Sequence, residues 1–462
     1  VGFDIRALIE QRKTEGYRLH AELLNPMMPR TLQIIGFDRV LEQGNGAWYF
    51  DDKGNKYLDF QAGFGVFAVG RNHPVVRGAL HDVLDAELVD MAQFDVPLLP
   101  GLLAEALLAR APGMDRVYFG NSGTEVVESA LKFARRATGK PRVLYCDHAF
   151  HGLTAGSLSV NGAAEFRDGF GPLLPDTKVP FGDLDALEQE VRRGDVAALI
   201  VEPIQGKGVY VAPPGYLAEA ARILHEHGAL LIADEVQSGM GRTGRFFAFE
   251  HDDVSPDIIT IAKALSGGFA PVAAMLARRG IFEKVYSSVD KVLVHSTTFT
   301  GNALAMTAGL ATLAVLDDED LIANAERRGQ QLMDGIRAIG ADNDLIVDVR
   351  GRGLMIGIEF GKPSSLAGRS AWRMLDAARH GLFAQLVVVP LHNRHRVLTQ
   401  VAGDNIPVMK LLPPLVIGDV EVDTFLNGFA DVMADARKPN GLALDFGKTL
   451  VKQALIARRA SH

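Results

Sequence analysis

Short, uninterrupted apolar runs recur through the middle of the chain, bounded by glycine, proline or charge, with stretches of helical period between several of them. Residues 117–119, 143–145, 197–201, 229–233, 258–261 and 272–276 have the length and composition of strands buried on both faces. The segments 125–137 and 217–226 place apolar residues at helical spacing. Together they predict an α/β fold, a largely parallel sheet covered by helices. Residues 40–60 have a different pattern. Trp48-Tyr49-Phe50 and Lys56-Tyr57-Leu58-Asp59-Phe60 flank the polar turn Asp52-Lys53-Gly54-Asn55, which predicts a β-hairpin. Beyond residue 300 the spacing predicts a long helix over 303–316 or further, leading into a smaller α+β unit. The expected layout is an arm over 1–35, the first part of a small domain over 36–79, a large domain over 80–335, the remainder of the small domain over 336–438, and a helical extension over 439–462.

Composition narrows the function. At 462 residues with 48% hydrophobic content the chain can build two packed cores. A net charge of -8 without any Lys/Arg block argues against nucleic acid or an anionic membrane as partner, so a small ligand is expected. The single cysteine, Cys146, cannot form an internal disulfide and reads as a buried small hydrophobe. The opening Val1-Gly2-Phe3-Asp4-Ile5-Arg6 has no signal-like apolar segment, and no later run approaches a membrane span. These features predict a soluble, cytoplasmic protein.

In an open parallel sheet, ligands gather at the carboxyl ends of the strands, so the residues after each run carry the information. The run at 117–119 leads into Gly120-Asn121-Ser122-Gly123-Thr124-Glu125, where a helix opens at once. Its first amides and the Ser122 and Thr124 hydroxyls suit a phosphate, and equally an ordinary helix cap. The run at 143–145 leads into Asp147-His148-Ala149-Phe150-His151-Gly152. Phe150 can lie on a planar heteroaromatic ring or simply pack in the core. No carboxylate-rich set with zinc spacing accompanies His148 and His151, so no metal is expected. Asp234 ends the run at 229–233; at such depth a carboxylate is costly unless it meets a cation such as a protonated pyridine nitrogen, and equally it can pair with a protein arginine or cap a helix. Lys263 follows the run at 258–261. There it is either a desolvated amine able to condense with an aldehyde or a lysine that snorkels to water.

Phe119-Gly120-Asn121-Ser122-Gly123-Thr124-Glu125, Glu202-Pro203-Ile204-Gln205-Gly206, Ala233-Asp234-Glu235-Val236-Gln237-Ser238-Gly239-Met240-Gly241-Arg242-Thr243-Gly244, Ala262-Lys263-Ala264-Leu265-Ser266-Gly267-Gly268 and Thr297-Thr298-Phe299-Thr300-Gly301-Asn302 occur in one order. In that order the chain resembles the class III aminotransferases over roughly residues 35 to 435. The resemblance implies a fold-type I transferase with pyridoxal 5'-phosphate (PLP) as cofactor, held as a Schiff base on Lys263. It implies that Asp234 faces the pyridine nitrogen and that Ser122, Gly123 and Thr124 hold the phosphate. Phe150 and His151 match an aromatic-His-Gly motif whose aromatic stacks on the ring, with Val236 on the other face and Gln237 on the ring hydroxyl. Thr298 matches a threonine that reaches the cofactor phosphate of the neighbouring subunit, so a homodimer with shared sites is implied. Racemases and aminomutases on the same scaffold keep the same lysine and aspartate, and release of a keto product separates transfer from those reactions.

The substrate pocket departs from the resemblance. Lys410 in Val408-Met409-Lys410-Leu411-Leu412-Pro413-Pro414 stands where the family commonly places an arginine that Glu202 can cover. Lysine lacks the bidentate fork, so Lys410 either pairs with Glu202 or makes a single contact to a carboxylate. Phe64, Val66 and Phe67, and the apolar run 382–389, fit either an apolar pocket or plain core. The expectation is transamination of a terminal, aliphatic amine or aldehyde with 2-oxoglutarate or pyruvate as second pair. Segments around Gln237 and His295 resemble putrescine-type members, and an acetylornithine- or ornithine-like activity is the alternative.

Overall fold

The computed structural model describes residues 2–92, 95–363, 369, 372 and 382–436. The helical extension expected over 442–459 lies outside them. The strands in chain order are β1 (Leu41–Asn45), β2 (Trp48–Asp51), β3 (Lys56–Asp59), β4 (Arg116–Gly120), β5 (Arg142–Cys146), β6 (Thr177–Val179), β7 (Val196–Val201), β8 (Leu230–Asp234), β9 (Ile258–Ile261), β10 (Ala273–Ala277), β11 (Ile346–Arg352), β12 (Met355–Phe360), β13 (Val397–Leu398), β14 (Gln400–Val401) and β15 (Val408–Leu411).

The large sheet has seven strands in the order β4-β10-β9-β8-β7-β5-β6. Only β10 runs against its neighbours, β4 and β9; the remaining pairs are parallel. The six predicted runs became β4, β5, β7, β8, β9 and β10. The edge strand β6 was not foreseen, because three residues including Lys178 give no apolar run. Residues alternate between two cores, as strand geometry requires. Tyr118, Val143, Ala198, Ile232, Ile258 and Met275 pack with Val126, Val127, Ala130 and Phe133 of the helix Gly123–Thr138. Phe119, Leu144, Leu199, Leu231, Ile259 and Leu276 point the other way, to the helices Tyr216–Glu226 and Ala303–Asp318. Each such side chain, buried fully, contributes about 1.5–3 kcal/mol.

Two four-stranded sheets flank this unit. In one, β1-β2-β3-β13, the predicted hairpin is a three-stranded antiparallel meander, because the chain also reverses at Gly46 (φ 56°), and β13 then joins β3 in parallel. The other, β11-β12-β15-β14, is antiparallel throughout. The long helix ends at Asp318, Asp320 takes a left-handed φ of 49°, and the chain resumes as the helix Leu321–Ala341. The apolar run 382–389 belongs to the helix Leu382–His395, with Phe383, Leu386 and Val387 in the core. Three helices, Ile5–Arg12, Gly16–Leu23 and Met27–Ile35, form the arm and leave most of their residues exposed. Among the described residues no helix is long and apolar enough to cross a membrane.

The helix Leu321–Ala341 meets the β11–β12 turn at Gly329, where an added Cβ would lie 2.0 Å from the Gly353 carbonyl oxygen. Backbone cannot yield as a flexible side chain can. Gly329→Ala is therefore expected to lower unfolding stability by about 1–3 kcal/mol despite alanine's better helix propensity. Gly78→Ala, in a helix with nothing within 4 Å, should instead raise it by up to about 1 kcal/mol. Denaturant titration of both variants tests the contrast.

Candidate active site

The carboxyl ends of β4, β5, β7, β8 and β9 share one edge of the large sheet, and a cavity of about 1080 Å³ opens there. Its lining brings together Lys263, Asp234, Ser122, Gly123, Thr124, Phe150, His151, Val236, Gln237, Glu202, Lys410 and Phe64. Thr298 does not line it. That residue is exposed on the segment after His295, beside Phe299, which is 62% exposed. Of the pocket candidates in the sequence, Phe64 and Val66 line the cavity, whereas Phe67 lies under the Arg71 guanidinium and the helix carrying 382–389 contributes nothing.

Parallel pairing of β8 and β9 sets Asp234 opposite Thr260, three residues before Lys263. Asp234 is 3% exposed, and three donors satisfy its carboxylate. Oδ1 accepts from the Val236 amide at 3.0 Å and the Thr260 hydroxyl at 3.1 Å. Oδ2 lies 2.6 Å from His151 Nδ1, so the imidazole serves the carboxylate as its donor. Asn161 holds the turn that presents His151, accepting from the His151 amide at 2.7 Å and donating to the Gly152 carbonyl at 2.7 Å. Sequence reasoning missed Thr260 and Asn161. The signal for Thr260 was its place as the lone polar residue in Ile258-Ile259-Thr260-Ile261.

Lys263 is half-buried and takes a left-handed φ of 41°, a conformation that costs a residue with a Cβ about 1–2 kcal/mol. Burial pushes its amine below the usual lysine range, and the Asp234 and Glu202 carboxylates pull the other way. Ser122 caps the helix Gly123–Thr138 by accepting from the Glu125 amide at 3.4 Å. The Glu125 carboxylate turns back to the Asn121 amide at 2.7 Å, so a side chain satisfies a loop donor next to the helix mouth. Thr124 Oγ1 meets Ser157 Oγ at 2.6 Å and Thr154 Oγ1 at 2.7 Å. A Cβ on Gly123 would lie 3.0 Å from Val236 Cγ1, so the cradle closes against Val236 only with glycine there. Hydroxyls and a helix N-terminus for an anion, apolar Phe150 and Val236, a buried carboxylate and an amine together form a donor set that fits PLP.

On the opposite wall Lys410, from β15, is 5% exposed. Its Nζ donates to the Gly206 carbonyl at 2.6 Å and to Gln237 Oε1 at 3.2 Å. Pairing with Glu202, one of the two expected arrangements, is not what forms. Glu202 instead accepts from the amides of Phe150 at 2.9 Å and Gly206 at 2.8 Å, because those loops approach it more closely. Gln237 also donates to the Phe64 carbonyl at 3.1 Å, tying the kinked segment around Phe64 to the wall. Burial, and then the Lys263 charge, push the Lys410 amine down to about 7, and burial pushes the Glu202 carboxyl up. Among the described residues no group of His, Cys, Asp and Glu forms a metal site.

Comparison with known proteins fits this geometry. The family model for class-III aminotransferases matches residues 34–433. The chain is 40% identical over 400 residues to the acetylornithine aminotransferase of Methanopyrus kandleri, covering 86% of this chain and 95% of that protein. It is 36% identical over 445 residues to the aminotransferase PigE of Serratia sp., covering 89% of this chain but only 52% of PigE, so it spans about half that relative's length. The crystal structure of ornithine aminotransferase from Toxoplasma gondii superposes with a TM-score of 0.76 at 33% identity, over 86% of this chain and 90% of that one. The omega transaminase of Pseudomonas jessenii in complex with PMP gives 0.77 at 26% identity, over 86% and 92%. The chain belongs to the class III aminotransferases, fold-type I enzymes that depend on PLP.

Proposed function

We propose that this protein transaminates a terminal, mostly aliphatic amine or aldehyde, with a 2-oxo acid such as 2-oxoglutarate or pyruvate as the second substrate pair. The observation that carries the reading is one cavity in which a desolvated Lys263 amine and a three-donor Asp234 carboxylate sit at neighbouring strand ends beneath Phe64, Val66 and Phe150. Bound PLP supplies an electrophilic aldehyde and an electron sink. Lys263 Nζ would be the amine that holds that aldehyde and, when free, the base that moves a proton at the substrate carbon. Burial lowers its pKa below the usual lysine range, which favours the neutral amine. Asp234 would face the ring nitrogen and favour its protonated form, and His151 and Thr260 keep that carboxylate oriented. The Ser122, Gly123 and Thr124 backbone and hydroxyls would take the phosphate, Phe150 and Val236 would enclose the ring, and Gln237 would reach the ring hydroxyl.

The second subunit of a cytoplasmic homodimer supplies Thr298. Exposed Val292 (64%), Leu293 (69%) and Phe299 (62%) on the same segment give that partner an apolar surface to cover. The likeness to the Methanopyrus acetylornithine aminotransferase favours a second reading, an amino-acid substrate with Lys410 in contact with its carboxylate.

Borohydride reduction of the holoenzyme followed by peptide mapping should place the label on Lys263. Lys263→Ala should lower turnover by about 10²–10⁴-fold or more. A label elsewhere refutes the assignment. A donor panel with 2-oxoglutarate and pyruvate should rank diamines and terminal amines above ornithine and acetylornithine; the reverse ranking selects the second reading.

Lys410 adds a pH signature in the cofactor-free protein. Below about pH 7 its ammonium is charged in folded and unfolded chains alike, and the full cost of burying it is present. Between about 7 and its ordinary 10.5 the folded chain sheds the proton while the unfolded chain keeps it. Stability then rises by about 1.4 kcal/mol per pH unit from this group. Relative to wild type, Lys410→Met should therefore look best at about pH 6 and lose ground by about pH 9. Denaturant titrations in which that difference stays flat rule out a buried, titrating Lys410.

A further inference from the structure

An ion pair at the outer end of the cavity has no part in the chemistry above. Lys207 Nζ pairs with Glu165 Oε1, and the same ammonium lies 4.0 Å from the centroid of the Phe166 ring. Lys207, Glu165 and Phe166 all line the cavity. Phe166 in turn packs edge-on against Phe150, with ring centroids 5.3 Å apart and planes at 70°. Glu165 stands on the exposed segment Ala164–Arg167, whereas Asp234 and Lys263 end buried strands, so the pair marks the mouth and not the floor.

The two partners are unequally buried. The Lys207 side chain is 13% exposed and that of Glu165 is 40%. If the pair opens, Glu165 regains water but Lys207 does not, and an ammonium left dry without a counterion is costly. The opening therefore calls for a replacement anion. Two further features point the same way. Lys410 Nζ donates to the carbonyl of Gly206, the residue before Lys207, so two ammonium groups flank one short stretch of wall. Both oxygens that Lys410 meets are neutral, the Gly206 carbonyl and the Gln237 amide. Glu202 lies on the same wall, but its two oxygens accept from the amides of Phe150 and Gly206.

Resting on the transaminase reading, we propose that Lys207 is a specificity-determining residue for the acceptor. It exchanges Glu165 for the remote carboxylate of a dicarboxylic 2-oxo acid, whose carbonyl end lies toward Lys263. A monocarboxylic acceptor has no second carboxylate to reach the mouth and leaves the pair closed. The exchange is an ion-pair swap in which no covalent bond forms or breaks.

The test uses the holoenzyme in its amino form, generated with an amine donor, and follows its single-turnover reaction with 2-oxoglutarate and with pyruvate. Lys207→Gln should reduce kcat/KM for 2-oxoglutarate by about 10-fold or more and change that for pyruvate by less than about 2-fold, the loss expected for one charge-assisted contact. Lys207→Arg should restore most of the preference. Glu165→Gln removes the resident competitor, and glutarate, a non-reacting dicarboxylate, should then bind the holoenzyme several-fold more tightly by calorimetry, with butyrate unaffected. Equal losses for both oxo acids, unchanged glutarate binding in Glu165→Gln, or an amino form that does not react with 2-oxoglutarate each overturn the proposal. Failure of every amine donor to produce the amino form is a separate result. It removes the transaminase reading, while glutarate calorimetry still decides the role of Lys207.

Discussion

The parallel register between β8 and β9 is the constraint on which the site rests. It sets Asp234 against Thr260, so the hydroxyl that satisfies the carboxylate comes from the strand that delivers Lys263 three residues later. A slip of one residue would turn both side chains to the opposite face of the sheet. The register is in turn held by alternation. Ile232 and Ile258 face one core while Leu231 and Ile259 face the other, so a slipped strand would carry its apolar residues into the wrong layers. The carboxylate survives at this depth because its three donors come from two strand ends and one loop, all fixed by the same sheet.

Strain and close approach also occur on this edge. The left-handed Lys263, with Gly267 and Gly268 just after it, turns the chain sharply out of β9. A Cβ on Gly268 would lie 2.3 Å from the Phe67 ring, which shows how tightly the segment after β3 is pressed onto this turn. The cost is local and the compensation is the two-sided core beneath it. The same economy governs the loop proposed to cradle the phosphate, where Gly123 closes against Val236 and the cap residue Ser122 opens the helix.

Much of this was legible because parallel strands buried on both faces leave unbroken apolar runs, and charges that follow such runs stand out. Asp234 and Lys263 are visible in that way, and the pairing of β8 with β9 supplies the geometry that the runs alone do not. The edge strand Thr177–Val179 left no run to see. The run 382–389 is apolar on every side, so period could not distinguish strand from helix, nor pocket from core; it is a core helix. Asn161 and Ser157 act through contacts made only after folding, and nothing in their neighbours marks them. The partners of Lys410 were undecidable from sequence for a related reason: backbone carbonyls such as that of Gly206 carry no residue signature. Glu165 and Lys207 are 42 positions apart in the chain, and only the approach of two loops makes them a pair. Thr298 is exposed and does not line the cavity, and its place in a shared site belongs to the proposed homodimer.

A transaminase of the proposed kind asks one cavity to accept first an apolar amine and then an anionic oxo acid. Fixed, exposed cations would serve the second and repel the first, since a protonated amine approaching bare ammonium groups loses solvation and gains repulsion. The wall avoids this by keeping each cation satisfied from within. Lys207 rests on Glu165 and the Phe166 ring, and Lys410 rests on neutral oxygens with its proton held weakly enough to leave near pH 7. An arginine at position 410 could not give up its charge in that range. Lysine leaves the charge of the wall able to change near neutrality, and burial is the main cause.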